Sequence, residues 1–442
     1  MKNCVTKRWT SMALAAALVS IASPGYADDV PVTLSDYPRI IKRDLPKIQP
    51  GQELQLGILR LHPSFQTQVE YDDNVRLTPN NEEEDVIFKQ EPGILGRIRA
   101  GNHRFDLGYL AEIINFADDE EENAVNHLVN GNANLNFGPL SIRVTDLMED
   151  STSRLFNEDS SRDRLMLNTA EARARYEMTH WVLEGGYKNN IIDYKRAASG
   201  NNNDRDENIY SLLLGNKVAT KSTVFVEGNV GEVNYDNSSG NADHDFWQAF
   251  VGFTYRSFFE KWDDAEDSMD RSLNQRVNAT VKIGFENRQL GDVPGRTAAE
   301  EFQGAVADAS IQYRFNIYES ASLGYTRSVN VSTFGINEWY QTDRFAGSFK
   351  KRLLKKLYII PRVSYQMQDY PELHTIGTTT DRRDDDLWNT GAELRYEPRV
   401  DETTGVAWAW ASLFYTYRDR ASNFDTLDFE NNKFGVKIGF AY

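Results

Sequence analysis

Residues 434–442 at the C-terminus of the chain read FGVKIGFAY. Counted back from the last residue, every second position is apolar, and the positions between are small or charged. The apolar set is Phe434, Val436, Ile438, Phe440 and Tyr442. A period of two is that of a β-strand, whose successive side chains point to opposite faces of a sheet. The stretch therefore predicts a terminal strand with one apolar face.

A strand of this kind that ends on an aromatic residue resembles the closing strand of bacterial outer-membrane β-barrels. The resemblance implies that the five apolar residues form the signal read by the barrel-assembly machinery. The edge strand of a soluble β-sandwich shows the same alternation, because one face of such a sheet is buried and the other is solvated. The rest of the chain has to decide between the two.

The N-terminal segment predicts export. Three basic residues within the first eight positions precede an apolar run over residues 11–21, and small residues around Ala27 suit a signal peptidase. We therefore expect residues 1–27 to be a signal peptide that is cleaved after Ala27. The one cysteine, Cys4, lies in this segment, so the remaining chain has no disulfide and no thiolate metal site. No later stretch has the roughly 18 consecutive apolar residues of a transmembrane helix.

Composition fits a barrel that is apolar only on a narrow outer band. Aromatic residues make up 12% of the chain, yet the mean hydropathy is −0.58. The formal net charge of −17 argues against nucleic acid as a partner, because nucleic-acid binding depends on basic residues. A soluble chain of 442 residues would usually divide into two domains, whereas one large barrel takes up this length by itself.

From residue 61 onward, amphipathic segments of spanning length alternate with short and with long, acidic connections. The short connections fall at Gly101, Gly138, Thr179 and Thr220. Short periplasmic turns alternating with longer outer loops are typical of outer-membrane barrels. We expect an all-β, transmembrane, antiparallel up-and-down barrel of about eighteen strands, with a range of sixteen to twenty, over residues 61–442. Residues 28–60, which contain four prolines, are expected to form a periplasmic tail.

Aromatic residues at the predicted strand ends form two sets. The inner set is Tyr176, Tyr255, Phe315, Tyr396 and Tyr442, and the outer set is Tyr71, Phe116, Tyr194, Tyr235, Tyr370 and Tyr417. Two aromatic bands at two depths are expected where a barrel crosses two membrane interfaces, and they argue against a soluble sheet. Residues 257–274 break the pattern, since this inner connection is long and helical in composition. It is either a docking element or a misassigned pair of strands.

Motifs for catalysis are missing from the sequence. It has no P-loop, no G-x-S-x-G and no H-E-x-x-H, and its six histidines are scattered. We therefore expect no enzyme, no cofactor and no metal site. One alternative is an Asp–His pair at the outer rim, formed by His244 with Asp243 or Asp245. The acidic outer loops could bind calcium or bridge lipopolysaccharide phosphates, but they lack EF-hand spacing, which favours solvated loops.

Alternation assigns a set of basic residues to the lumen, and most of them fall in the periplasmic half of their strands. The set is Arg97, Arg99, Arg143, Arg173, Arg175, Arg256, Lys282, Arg314, Lys350, Arg362, Arg395 and Lys437. Arginine-rich pore linings favour anionic solutes. The alternative is that these residues pair with lumen acids such as Glu171, Glu177 and Glu393 and only hold the wall together.

Three short runs near the start of the barrel add a second resemblance: residues 62–65 (HPSF), 71–75 (YDDNV) and 91–94 (EPGI). With the terminal strand they resemble the β-barrel porin 2 family of outer-membrane proteins. This resemblance implies a place in exopolysaccharide biosynthesis and export, with polysaccharide and periplasmic export components as partners. It also implies localisation in the bacterial outer membrane, in contact with its lipid and lipopolysaccharide. The family supplies no catalytic residues.

Three functions are open at this point. The first is export of an anionic exopolysaccharide, for which lumen aromatics such as Phe250, Trp410 and Phe414 would offer stacking surfaces to sugar rings, unless these rings only pack locally. The second is a diffusion porin for small anionic solutes. The third is a non-conducting surface barrel for adhesion or matrix attachment. About eighteen strands leave an aqueous lumen wide enough for either kind of transport.

Overall fold

The computed structural model describes residues 54–152, 164–195, 204–236, 243–258, 275–291, 301–316, 318–332, 337–376, 379–400 and 407–441. Its strands are β1 (Leu54–Leu56), β2 (Leu59–Asp72), β3 (Asp85–Ala100), β4 (His103–Phe116), β5 (Ala124–Phe137), β6 (Leu140–Ser151), β7 (Leu165–Glu177), β8 (Trp181–Tyr194), β9 (Arg205–Ala219), β10 (Ser222–Tyr235), β11 (His244–Phe258), β12 (Gln275–Leu290), β13 (Phe302–Asn316), β14 (Glu319–Val331), β15 (Trp339–Leu354), β16 (Leu357–Ile376), β17 (Thr379–Val400), β18 (Ala407–Ser422) and β19 (Phe429–Ala441). Two 3-10 helices, Glu120–Glu122 and Asp425–Leu427, lie in connections. None of the helices in these ranges is long and apolar enough to span a membrane.

Strands β2 to β19 pair in chain order and close on themselves. Each strand is antiparallel to the next, and β19 returns to β2 through a register that runs from Lys433 opposite Asp72 to Ala441 opposite Ser64. Closure removes the free edges that an open sheet would expose. The predicted all-β barrel of eighteen strands is therefore confirmed.

The barrel begins slightly earlier than the sequence predicts. Strand β2 starts at Leu59, two residues before the expected start, and β1 pairs with it through a tight turn at Gly57, whose φ of +64° suits glycine. Residues 54–60 of the predicted tail thus form a β-hairpin at the barrel wall. The signal peptide, its cleavage after Ala27 and the remainder of the tail lie outside the described residues, as do Tyr442 and residues 259–274.

Connection lengths distinguish the two ends of the barrel. Short turns join β3 to β4, β5 to β6, β7 to β8 and β9 to β10 at one end, called the inner end below. Gly101 and Gly138 occupy two of these turns with φ values of +59° and +68°, where a side chain would be strained. At the opposite, outer end the connections from β2 to β3 and from β4 to β5 are longer, as the alternation of connection lengths predicts, whereas β16 and β17 extend so far that only residues 377–378 separate them.

The two faces of the wall have opposite chemistry. Outward-facing apolar side chains are exposed, and both Leu107 and Ile283 keep 65% of their surface. Inward-facing Glu286 and Asp385 are instead 0% exposed. A soluble β-sandwich buries its apolar face and solvates its charged one, so this wall is the inverse of such a sheet. An apolar outer band around a polar interior is the arrangement of a membrane-spanning barrel.

Aromatic residues follow the prediction at the inner end and depart from it at the outer end. Tyr176, Tyr255, Phe315 and Tyr396 lie on outward-facing positions. Of the outer set, Tyr71 and Tyr417 face outward as predicted, whereas Phe116, Tyr194, Tyr235 and Tyr370 point inward. Other outward-facing aromatics lie nearer the inner end than the strand tips do. They include Tyr109, Tyr187, Tyr210, Trp247, Tyr325 and Tyr415. The strands extend beyond this band, and their outward-facing tips carry polar residues such as Asn115 and Asn234.

One outer connection and the outer end of one strand pack toward the lumen. Val75, between β2 and β3, packs against inward-facing Ile114 and Phe116. Val331, at the outer end of β14, forms a second buried cluster with Tyr235 and Phe246 on β10 and β11. Strands β12 and β13 lie between β14 and β11 in the sheet, so this contact forms across the lumen and not between neighbouring strands. Both clusters place apolar side chains inside the outer mouth of the barrel.

Candidate functional site: the barrel lumen

Strand register places all twelve basic residues singled out by alternation on the inward face. They differ in their accessibility to the lumen. Arg97, Lys282 and Arg314 are buried, whereas Arg99, Arg143, Arg256 and Arg362 are exposed to it. Alternation gives the face of a residue, but burial decides whether a solute can reach it.

Buried bases mainly hold the wall together. The Arg97 side chain is 2% exposed, and its Nε lies 2.7 Å from Oδ1 of Asp106. Arg104 binds the same carboxylate through its own Nε at 2.7 Å. On the other side of the barrel, Nζ of Lys282 lies 3.0 Å from Oε1 of Glu227. A buried charge is tolerated only with such a partner, so these pairs are structural.

A first accessible cluster lies near the inner end on β6, β7 and β11, and we call it the arginine cluster: Arg143, Arg173, Arg175 and Arg256. Glu184 joins two of its members, because Nη1 of Arg173 and Nη1 of Arg175 each lie 3.1 Å from one of its carboxylate oxygens. Arg143 faces Arg173 across the strand pair. Arg256 is close enough to Arg175 and Arg143 for their positive charges to act on it.

Positive charge exceeds negative charge in this cluster. Arg173 and Arg175 also pair with Glu171 and Glu177 on their own strand. In the described part of the chain, however, neither Arg143 nor Arg256 has a carboxylate within ion-pair distance. Two guanidinium groups near the inner end therefore remain available to an anion in the lumen.

A second accessible cluster, the Glu393 cluster, lies on β16, β17 and β19. Nε of Arg395 is 2.8 Å from Oε1 of Glu393, and Nη1 of Arg362 is 3.5 Å from Oε2. The charge of Lys437 also interacts with that carboxylate. Three bases thus act on Glu393, although Lys437 also interacts with Glu70, and the Arg362 side chain remains 51% exposed to the lumen. This second cluster also carries surplus positive charge.

The lumen aromatics fall into two kinds. Phe250 is only 2% exposed and packs on Val306, so its ring belongs to the wall and is not accessible for stacking. Trp410 and Phe414 are half-buried and lie beside the Glu393 cluster, where Nζ of Lys437 is 4.6 Å from the centre of the Phe414 ring. Glycine is required opposite Trp410, because a Cβ at Gly439 would lie 2.3 Å from its ring.

Basic residues also line the outer part of the lumen, which the sequence analysis did not anticipate. Arg205, Arg288 and Arg383 are at most 2% exposed. Each pairs with an acid two residues away on its own strand, namely Glu207, Glu286 and Asp385, at 2.9, 3.0 and 2.6 Å. The spacing of two is the signal that could have revealed them, since it puts base and acid on the same face. Inward-facing bases are therefore not confined to the inner half.

His244 also faces the lumen, and its Nε2 lies 3.1 Å from Nη1 of Arg288. Asp245 lies on the opposite face of β11. Oδ1 of Asp243 instead accepts a hydrogen bond from the backbone N–H of Tyr235 at 2.8 Å. An arginine beside the ring does not provide the carboxylate that orients a catalytic histidine.

At the outer rim, the acidic connections are partly structural. Asp85 is buried and accepts hydrogen bonds from the backbone N–H groups of Ala117, Asp118 and Asp119. Arg76 bridges Glu83 and Asp119 at 2.6 and 2.8 Å, and its hydrogen bond to Glu83 is the main reason that its pKa is raised. Within the described ranges, no group of three or more acids, histidines or cysteines is arranged to hold a metal ion.

The motif at residues 71–75 joins the first and last strands of the barrel. Asp72 is completely buried and accepts hydrogen bonds from Nδ2 of Asn431 and from Nζ of Lys433, both at 2.5 Å. Nδ2 of Asn74 donates to the carbonyl oxygen of Glu430 at 2.9 Å. We call this contact between the end of β2 and the start of β19 the outer seam. The sequence contains the motif, but its partners cannot be found without the closed register.

Comparison with known proteins shows the fold alone. No family model matches the chain, and no curated protein matches it significantly. A BenF-like porin from Pseudomonas fluorescens Pf-5 is similar at 10% identity, covering 88% of this chain and 100% of that chain, with a TM-score of 0.45. OccAB3 from Acinetobacter baumannii is similar at 12% identity, covering 87% and 99%, with a TM-score of 0.44. The outer membrane protein OpdK from Pseudomonas aeruginosa is similar at 9% identity, covering 86% and 99%, with a TM-score of 0.45. The β-barrel porin 2 resemblance stays a prediction.

Proposed function

We propose that this chain is an outer-membrane channel for small anionic solutes. The observation that carries the proposal is the surplus of accessible positive charge in the lumen, at the arginine cluster and at the Glu393 cluster. Basic groups that line a water-filled pore raise the local concentration of anions and select for them. The exposed apolar outer face supports insertion into the outer membrane, where closed barrels of this kind are found.

Small solutes are favoured over a polymer for two reasons. The motif at residues 71–75, which contributes to the exopolysaccharide-export resemblance, has a structural role at the outer seam and needs no polysaccharide to explain it. In addition, the apolar clusters around Val75 and Val331 occupy part of the outer mouth. Export of an anionic exopolysaccharide and a non-conducting surface barrel remain the outcomes that the experiment must separate. Association with lipopolysaccharide, with the barrel-assembly machinery and with export components stays predicted.

Ion selectivity in planar bilayers tests the proposal. The reversal potential of the purified barrel in a KCl gradient should show a preference for chloride. This preference should weaken as salt rises, since the Debye length is about 10 Å at 0.1 M. Arg143→Gln combined with Arg256→Gln should reduce the preference without leaving an acid unpaired. Lys195→Gln is a control that removes a positive charge of the outer rim, paired there with Asp193, and it should leave the preference unchanged.

Each alternative predicts a different result, in the bilayer or in a deletion strain. Cation selectivity of the parent protein would overturn the proposal. A folded barrel without conductance would indicate a surface role. Loss of surface polysaccharide in a clean deletion strain, with uptake of small anions unchanged, would support export instead.

A further inference from the structure

One inner wall of the lumen carries a row of asparagines. On β5, the residues at positions 130, 132, 134 and 136 are all asparagine, and the register places them on the inward face. We call Asn130, Asn132 and Asn134 the asparagine row. All three are half-buried, so their amides reach the lumen from the wall. Opposite Asn130 on β4 lies Gly108, which has no side chain to cover it.

Hydrogen bonds connect this row to the arginine cluster. Nδ2 of Asn134 donates to Oδ1 of Asn132 at 2.9 Å, and Nε of Arg143 donates to Oδ1 of Asn134 at 3.2 Å. These bonds orient two of the amides and leave the Nη groups of Arg143 unused. Within the part of the chain that the structure describes, the Asn130 amide and Nδ2 of Asn132 have no hydrogen-bond partner.

The chemistry of these groups is complementary to a particular class of anion. A guanidinium binds a carboxylate through paired N–H donors. A primary amide offers two donors and one acceptor, which matches hydroxyl groups that both donate and accept. Charge alone attracts any anion, whereas a row of amides distinguishes an anion that carries hydroxyl groups from one that does not.

We propose that Asn130, Asn132, Asn134 and Arg143 form a binding site for a polyhydroxylated carboxylate, such as an open-chain or cyclic sugar acid. Arg143 binds the carboxylate, and amides of the asparagine row bind hydroxyl groups of the same molecule. The site rests on the proposed function, because it assigns the solute class of that same channel.

Two six-carbon monocarboxylates, gluconate and hexanoate, test the site because they have the same charge and differ in their hydroxyl groups. Each is titrated against the chloride current of the intact barrel in a planar bilayer. Gluconate should reduce the current at a concentration well below that needed for hexanoate. In Asn130→Ala combined with Asn132→Ala, the half-blocking concentration of gluconate should rise about tenfold, as expected for the loss of one to two neutral hydrogen bonds. The value for hexanoate should not change.

Asn389→Ala provides the matched control. Asn389 is an exposed, inward-facing asparagine on β17, far around the barrel from β5. Its substitution should leave both half-blocking concentrations unchanged. An equal rise for gluconate and hexanoate in the β5 variant would overturn the site, because the row would then act on all anions alike. Unchanged gluconate block in that variant would also overturn it.

Failure of the site and failure of the channel proposal are distinguishable. If the parent barrel prefers chloride but gluconate and hexanoate block its current equally, only the asparagine site is wrong. If the parent barrel does not prefer chloride, the channel proposal itself is wrong.

Discussion

Asp73 and Asn432, which lie 359 positions apart in the sequence, join the first and last strands of the barrel through a pair of hydrogen bonds. The backbone N–H of Asn432 donates to Oδ1 of Asp73 at 2.6 Å, and Nδ2 of the same residue donates to Oδ2 at 2.7 Å. Asp72 and Asn74 make further bonds to Asn431 and Glu430 beside them. The last strand is thereby fixed to the first one in a single register.

Asp73→Ala should weaken this closure. The change removes both acceptors of Asn432, and hydrogen bonds to a charged group contribute about 1.5–3 kcal/mol each. The temperature at which the folded band disappears from unboiled gels should therefore fall, while conductance of the surviving barrels is retained. Glu120→Ala is the control, since the Glu120 side chain is exposed and makes no hydrogen bond or ion pair in the described ranges. An unchanged folded band in Asp73→Ala would show that the outer seam does not limit stability.

Phe440→Asp should sharply reduce the amount of folded barrel in the membrane fraction. Phe440 faces outward on β19, beside Phe65 with 6.0 Å between ring centres, so the substitution places a carboxylate on the lipid-facing surface. Phe440→Leu keeps the apolar character and should assemble normally. Deletion of Tyr442 should also reduce assembly if the terminal aromatic is part of the predicted signal. Full recovery of Phe440→Asp and of the deletion would contradict both expectations.

Glu184→Gln should raise the preference for anions and lower stability together. The substitution removes the carboxylate that Arg173 and Arg175 share, so more of their positive charge acts on the lumen. Both arginines retain a second acid and are partly exposed, which limits the expected loss to about 1–2 kcal/mol. Reversal potentials and thermal unfolding of the same preparation measure the two effects. Glu232→Gln, on the outward face, is the control, and a decrease in anion preference in Glu184→Gln would refute the assignment.

Protease, lipase and deacylase assays on the folded barrel should show no activity. His244 lies beside Arg288, and Asp245 lies on the other face of the strand, so the predicted pair of His244 with Asp245 is not assembled. Activity that disappears in His244→Ala would contradict this expectation.

Alternation of residues was sufficient to predict which face of the wall each strand residue occupies. Ile283 and Lys282 illustrate this, because neighbours along a strand must point to opposite faces. Depth is a different matter, since no local pattern shows how far a strand extends beyond the membrane. The aromatic bands are predicted from the positions of strand ends and not from alternation, so Phe116 and Tyr235 are placed in an outward band although they pack inside the lumen.

Accessibility within the lumen could not be predicted from sequence either. Arg97 and Arg143 have the same residue type and the same inward orientation, yet one is buried against Asp106 and the other has no carboxylate partner in the described ranges. The difference arises from residues on neighbouring strands that are remote in sequence. Likewise, the role of Asp73 depends on Asn432, which only the closed register brings next to it.

The outer-lumen ion pairs have a consequence for how the wall is built. Arg205 and Glu207, Arg288 and Glu286, and Arg383 and Asp385 each belong to one strand and lie two positions apart. Such a pair needs no neighbouring strand to form. A single strand can therefore neutralise its own inward-facing charges whichever strand lies beside it.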